Sequence, residues 1–382
     1  MLRVKRRLVV ITEIIAPYRI PVFNALAARE DVNPHIIFLS ETDPSLRDWR
    51  VYKEEIRFSY EVLPGFRRRI GKYNLLVNWG LDAALERGRS GLILCGGYSY
   101  VASWQALRWA RRHGVGFLLW MESTAADQRR RSAAVEALKR RFVRDCRGFV
   151  VPGKAATAYL KQLAPPEAAI FLAPNAVDNA YFMQKAAEAR AGGEALRASL
   201  GLPARYFLYT GRLVAAKGVF ELLDAYAKLE AVVRSSVGLV LVGDGAARSE
   251  LMERAKQIRP GAIQFPGFVQ REGLANLYAL ADALIFPTHS DTWGFVVNEA
   301  MACGLPLVVA NVAGCVPDLV EEDWNGKIVA VKDAGKLASA MEFLALREDL
   351  RWEMGKRSME RIVGYSPEAC AAGIAEAVVR CG

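Results

Sequence analysis

The chain has 382 residues, enough for two or three domains of roughly 150 residues each, and its 52% hydrophobic and 24% charged composition excludes a mainly disordered protein. The net charge of +10 is concentrated: residues 1–175 carry 29 Lys and Arg against 16 Asp and Glu, whereas residues 176–382 carry 22 against 25. A basic first half points to an anionic partner, a membrane surface, polyphosphate or nucleic acid, with a merely solvated arginine-rich surface as the alternative.

The opening MLRVKRRLVVITEII has the outline of a signal peptide, but its apolar run is short, Glu13 interrupts it, and no small-residue cleavage site follows. A strand over 8–12 accounts for it better. Further strands are expected at 35–39, 91–94, 116–120, 148–151 and 170–172, with helices over 21–29, 101–113 and 132–145 between them. Residues 174–201 break the rhythm and read as an interdomain connection. Strands then resume at 206–210, 238–242, 262–265, 283–286, 306–310 and 326–329. The helices among them fall at 219–229, 247–257, 274–281, 296–302, 317–321, 334–346 and 350–362, and a last helix opens with Ser-Pro at 366–379. Alternating strands and helices predict two parallel α/β units in series, with ligands beyond the carboxyl ends of the strands in a cleft. No internal repeat is present, and no uninterrupted apolar run reaches the ~18 residues of a membrane span. The six cysteines show no C-x-x-C spacing and there are three histidines, which argues against a zinc site or disulfide framework. Reduced thiols fit a cytoplasmic setting.

The sharpest local feature is YTGRLVAAKG at 209–218. A strand ends at Thr210, Gly211 permits a tight turn, and Arg212 and Lys217 lie five residues apart just before a helix that begins near Gly218. Helix N-termini attract anions, Arg offers a fork to phosphate oxygens and Lys a point charge, so the segment suits a diphosphate. The alternative is a surface loop with two stray cations. A second loop-to-helix junction is PTHSDTWGFVVNEA at 287–300. Thr292, Gly294 and Phe295 would present backbone amides there, and Asp291 and Glu299 bracket the turn with carboxylates able to accept hydrogen bonds from sugar hydroxyls. Gly243 and Asp244 form a Gly-rich turn after a strand, weak evidence alone. Phe268 and Val269 follow Phe265-Pro266-Gly267 in an apolar turn that could hold a nucleobase.

Taken in order, PNAVDNAYF at 174–182, GRLVAAKG at 211–218, VGDG at 242–245, FPGFV at 265–269 and the run from Pro287 through GFVVNEAMACGLPLVV to GCVPDLV at 314–320 resemble the retaining glycosyltransferases of family 4, the glycosyl transferases group 1. The resemblance covers the whole C-terminal half and reaches the N-terminal half weakly. It implies an α/β, GT-B fold with two Rossmann-like domains facing each other across a cleft. These would be an acceptor-binding domain over 1–175, a nucleotide-sugar-binding domain over 176–365, and a C-terminal helix, 366–382, crossing back to the first. It further implies that Arg212 and Lys217 bind the donor diphosphate with Gly211, Gly243, Asp244 and Thr292 nearby. Glu299 would bind the ribose, Asp291 the transferred sugar, Gly294 and Phe295 the phosphate or sugar through amides, and Phe268 and Val269 would lie near the base. Departures are a Gly-free first loop, Glu13-Ile14-Ile15-Ala16-Pro17-Tyr18-Arg19, Glu122 where many members carry His, Asn-Ala for Asn-Gly in the linker, and Asp for Glu at 291.

The resemblance also implies retention of anomeric configuration by a hexosyltransferase. Arg212, Lys217 and the amides at Gly294 and Phe295 would stabilise the leaving diphosphate. No Asp-x-Asp motif is found, so no metal is expected, and no cofactor beyond the nucleotide-sugar co-substrate. Asp291 and Glu122 complete the candidate catalytic set, with Tyr18, Arg19 and Glu122 on the acceptor side. Cations interleave with apolar groups at 66–76, and in 129–147 Val135, Leu138 and Phe142 share a helical face opposite Arg140, Arg144 and Arg147. Such stretches suit an anionic lipid surface, hence a lipid-linked or cell-surface glycan acceptor and a cytoplasmic enzyme peripheral to the membrane; burial of the second helix against the sheet is the competing reading. Other readings are a GT-B-like epimerase or phosphorylase, disfavoured by few histidines and a short chain, and a non-catalytic sugar-nucleotide-binding partner of a membrane complex. No nucleic-acid module is recognised.

Overall fold

A computed structural model describes residues 5–43, 49–70, 73–88, 91–127 and 133–382, with backbone only at 69, 70, 73, 74 and 127. The chain divides into two compact units, Met1–Val177 with Ser366–Gly382, and Asp178–Tyr365.

In the first unit the strands are short apolar runs, and side chains alternate across the pleat. Val10, Leu94, Leu118 and Val150 enter one core, under the helices Ile20–Ala28 and Pro367–Cys381. Val9, Ile93, Leu119 and Phe149 enter the other, under Leu81–Gly88, Val101–His113 and Lys154–Leu160. Both faces are therefore covered, as a parallel sheet requires. The order across the sheet is Ser59–Val62, Val32–Phe38, Arg6–Thr12, Leu92–Gly96, Gly116–Trp120, Gly148–Val151, Ile170–Leu172, all parallel. A separate antiparallel hairpin pairs Gly65–Ile70 with Tyr73–Asn78.

The second unit repeats the plan with six parallel strands, in the order Ile263–Gly267, Gly238–Val242, Tyr206–Thr210, Ala283–Phe286, Leu307–Ala310, Gly326–Val329. In both sheets the first strand of the unit lies between the second and the fourth. Connections on its two sides leave in opposite directions, which opens a crevice at the carboxyl ends of the first and fourth strands.

The expected interdomain connection over 174–201 is corrected: Asn179–Ser199 is a helix of the second unit. Asp178 caps it, its carboxylate accepting from the Tyr181 amide at 3.0 Å. The helix packs on Arg271–Leu280 and Phe295–Ala302, and its backbone leaves helical geometry at Gly193. Its Ala, Glu and Arg are good helix formers; the Gly192-Gly193 pair obscured them. The sequence reading also lacked the edge strand Ser59–Val62 and the hairpin, whose polar, Arg-rich text hides the period of two. The helices Leu81–Gly88, Lys154–Leu160 and Ala231–Ser236 were equally absent from it.

The last helix opens with the Ser366 side chain accepting from the Ala369 amide and Pro367 in the first turn, and it packs on Ile20–Ala28 and Ile170–Leu172. Together with Glu348–Ile362 it forms the one described stretch apolar and long enough to cross a membrane. Its most apolar window is half buried.

Candidate functional site

Two loops meet at the crevice of the second unit, one leaving the strand Tyr206–Thr210 and one leaving Ala283–Phe286. Lys217 of the first loop donates to Asp291 Oδ2 of the second at 2.5 Å, and to the Ser290 carbonyl at 3.3 Å. Both side chains are largely buried, 15% and 22% exposed. The other Asp291 oxygen accepts from the Trp293 amide at 3.2 Å. Both carboxylate oxygens of Asp291, expected on a transferred sugar, are thus engaged inside the unit.

Local sequence explains how the loops come so close. Gly218 has φ +70° and caps the helix Val219–Lys228; a Cβ there would sit 2.0 Å from the Pro287 carbonyl. Gly243 has φ +131°, and a Cβ there would lie 1.9 Å from the Gly211 carbonyl. Only glycine permits either approach. Backbone bonds from Gly211 to Val242 and from Leu213 to Asp244 then lace the cation loop to the next strand's turn. Gly211, Gly243 and Asp244 therefore build the loop's backbone, and the exposed Asp244 carboxylate accepts from the Gly245 amide at 2.6 Å. Arg212 is exposed, its carbonyl fixed by the Tyr209 hydroxyl at 2.9 Å.

Gly294 caps the helix Phe295–Ala302 with φ +102°, so the amides at Gly294 and Phe295 stand at a helix N-terminus beside Asp291. Thr292 is exposed and Trp293 buried, its ring N–H donating to Asn298 at 2.8 Å. Gly314 donates to the Asp291 carbonyl and Cys315 to that of Trp293, so the GCVPDLV segment braces the loop from behind.

Glu299 faces inward. The buried Tyr278 hydroxyl donates to it at 2.8 Å and also meets the Thr210 hydroxyl at 2.8 Å. This chain joins Glu299 to the end of the strand that launches the cation loop. Burial pushes the Glu299 carboxyl up to about 7, against the opposing pull of the Tyr278 hydrogen bond. Burial and the Glu299 charge push the Tyr278 hydroxyl well up. The sequence reading missed Tyr278, Thr210 and the His289–Glu221 pair, 3.1 Å apart behind Lys217. Nothing local marks a helix Tyr as the partner of an acid 21 residues on. Phe268 is exposed and Val269 half-buried beyond the strand Ile263–Gly267. Among the described residues no three His, Cys, Asp or Glu converge as metal ligands would.

The first unit brings Arg19 and Glu122 together in an ion pair. Arg19 is buried, its guanidinium 4.2 Å from the centre of the Trp120 ring and 5.7 Å from that of Tyr18. Burial lowers its pKa. Glu122, two residues beyond the strand Gly116–Trp120, keeps its side chain 32% exposed. Tyr18 packs edge-on against Trp49. Arg67, expected among membrane-facing cations, turns inward instead: Nη1 donates to Glu13 at 2.9 Å and to Asp43 at 2.6 Å. In the helix Ala133–Arg144, Phe142 is buried while Val135 and Leu138 are about half exposed. Lys72 and 129–132 of the two basic stretches lie outside the described residues.

Residues 194–361 match the family model of glycosyl transferases group 1. A D-inositol 3-phosphate glycosyltransferase of Saccharomonospora viridis is 33% identical over 187 residues, 45% of this chain and 42% of that one. The chain spans about half the length of the curated relatives it matches. The fold matches that of Anabaena HepE in complex with UDP, with TM-score 0.77, 16% identity and coverage of 98% and 100%. It also matches sucrose-phosphate synthase of Thermosynechococcus elongatus, with TM-score 0.75, 20% identity and coverage of 98% and 99%. The architecture is thus GT-B, two Rossmann-like units in one chain.

Proposed function

We propose that this chain, whose segment 194–361 matches the family model of group 1 glycosyl transferases, moves a hexosyl group from a nucleotide sugar to a hydroxyl of a lipid-linked or cell-surface glycan, with retention of configuration. One observation carries the reading: Lys217 and Asp291 meet at the crevice of the second unit, each just ahead of a helix N-terminus, and Arg212 lies in the same loop as Lys217. A group of two negative charges placed there would take Lys217 and Arg212 as counter-ions and the backbone amides at the start of the helix Phe295–Ala302 as donors.

In this mechanism the bond between the anomeric carbon and the diphosphate oxygen breaks while the acceptor oxygen bonds to the same face of that carbon. The acceptor proton passes to the departing phosphate. Lys217, Arg212 and the Gly294 and Phe295 amides stabilise the charge that grows on the diphosphate, a role that needs no metal ion. Glu299 and Asp291 accept hydrogen bonds from ribose and sugar hydroxyls. In the first unit Glu122, held by Arg19, orients the acceptor hydroxyl.

A thermal-shift panel of UDP-, ADP- and GDP-sugars tests the donor step. One donor at 100 times its Kd stabilises the folded state by about 2.7 kcal/mol, a shift of several degrees. No shift with any of them, or a shift unchanged after replacing both Arg212 and Lys217 by alanine, would refute the assignment.

A further inference from the structure

We propose that the outer face of the hairpin Gly65–Ile70 and Tyr73–Asn78 docks the first unit on an anionic lipid surface. The proposal deepens, and for its choice of partner rests on, the lipid-linked acceptor reading.

The register pairs Phe66 with Val77, Arg67 with Leu76, and Arg68 with Leu75. Side chains of a strand alternate between faces, so 66, 68, 75 and 77 share one face and 67 and 76 the other. The inner face is fastened. Leu76 is 3% exposed within the core, Arg67 binds Glu13 and Asp43, and the Asn78 side chain donates to the Leu39 carbonyl at 2.6 Å. A lone two-stranded hairpin is marginal in water, and this one persists through those anchors.

The outer face has the opposite character. Phe66 is 54% exposed, Leu75 39% and Val77 37%, with Trp79 at the hairpin's end 55% exposed and Arg68 exposed among them. A rigidly held, contiguous group of large apolar side chains on the surface marks an interaction site. Aromatic and aliphatic groups around a cation fit the boundary between headgroups and acyl chains. The excess of 29 cations over 16 anions in residues 1–175 favours an anionic bilayer and disfavours a second, equally basic copy of the chain.

Position supports the same partner. The hairpin follows the carboxyl end of the strand Ser59–Val62, and Arg67 ties it to Glu13, just beyond the carboxyl end of Arg6–Thr12. Glu122 and Arg19 stand at that same edge of the sheet, so an acceptor headgroup held in the bilayer would present its hydroxyl where those residues lie.

The test uses the full chain and extruded vesicles of phosphatidylcholine with and without 30% phosphatidylglycerol. The native protein is expected to co-sediment with the anionic vesicles, and added salt to weaken the binding. The triple variant F66S/L75S/V77S should lose at least tenfold in partition coefficient, and R68A several-fold on anionic vesicles alone. Circular dichroism and the nucleotide-sugar thermal shift, both unchanged, show that the variants fold and keep the donor site. Absent vesicle binding, equal binding by the triple variant, or a concentration-dependent dimer that the triple variant abolishes would overturn the proposal. If vesicle binding fails while the donor shift persists, the docking face falls and the transferase reading stands. If the donor shift fails, the transferase reading falls whatever the vesicles show.

Discussion

Lys217 and Asp291 are tethered to each other at 2.5 Å, and the two ends of that tether should respond oppositely to mutation. At an effective dielectric of 20 the pair's gross attraction is about 7 kcal/mol. Desolvation of two largely buried groups cancels most of it, leaving a cost of roughly 1–3 kcal/mol for breaking the pair from either side, between the values for exposed and fully buried pairs. For nucleotide binding the signs diverge. Lys217→Ala removes a charge-assisted donor and leaves Asp291 uncompensated beside the incoming phosphates, which should weaken UDP by about 10–100-fold. Asp291→Asn keeps the shape, removes the competing carboxylate and frees Lys217 for phosphate, so UDP affinity should hold or tighten. The intact nucleotide sugar should still lose turnover if Asp291 also contacts the sugar. Isothermal titration with UDP at two salt concentrations, alongside melting curves, measures all of this. Equal weakening of UDP by both substitutions, with both proteins folded, would refute the view that Asp291 competes with the diphosphate for Lys217.

Glu299, pushed up to about 7 by burial, binds a proton in the folded state that it releases near the ordinary carboxylate value when unfolded. Its contribution to stability is therefore most favourable below about pH 4.5 and is lost as pH rises through about 7, by on the order of 3 kcal/mol at most. Urea unfolding from pH 5 to 8 should show this slope and Glu299→Gln should flatten it; an unchanged slope in the variant would assign it elsewhere. Arg19→Ala removes the partner of the partly exposed Glu122 carboxylate and empties a buried stacking position on Trp120, and should destabilise the first unit by roughly 1–3 kcal/mol. A cost below 1 kcal/mol by denaturant titration would contradict the burial of that pair.

Much of the second unit was legible because its strands are short and mostly apolar, and four of the six end at Gly or Pro. The site loops share that legibility: Gly211, Gly218, Gly243 and Gly294 mark places where backbones touch or turn left-handed, and such constraints are written locally. What the text could not show is which side chains find each other across the sheet. Glu299 reads as an open cleft carboxylate until the fold supplies Tyr278 and Thr210. Asp291 reads as an open carboxylate until the fold supplies Lys217 as its partner. In the first unit, Arg67 and Arg68 are adjacent and chemically identical. Strand alternation sends one to Glu13 and the buried Asp43 and the other to solvent. That division depends on the hairpin register, which a polar, Arg-rich sequence does not specify by pattern.

The net charge of a whole half does not locate the proposed diphosphate site, because so small an anion senses only its immediate surroundings. The second half of the chain carries more acids than bases, yet it holds the cationic loop. Screening limits the reach of exposed charges to about 8 Å at physiological salt, so the relevant sum is the local one. Within it, Asp291 is paired with Lys217, and burial favours the uncharged form of Glu299. The two acids that bracket the Gly294 turn therefore oppose a diphosphate less than their number implies. Arg212 and two helix N-termini remain on the positive side of the balance. A bound diphosphate that drew Lys217 toward itself would release Asp291 at the same moment. The carboxylate would then become available to a sugar hydroxyl only once the phosphates were seated, which makes the order of contacts a consequence of the tether.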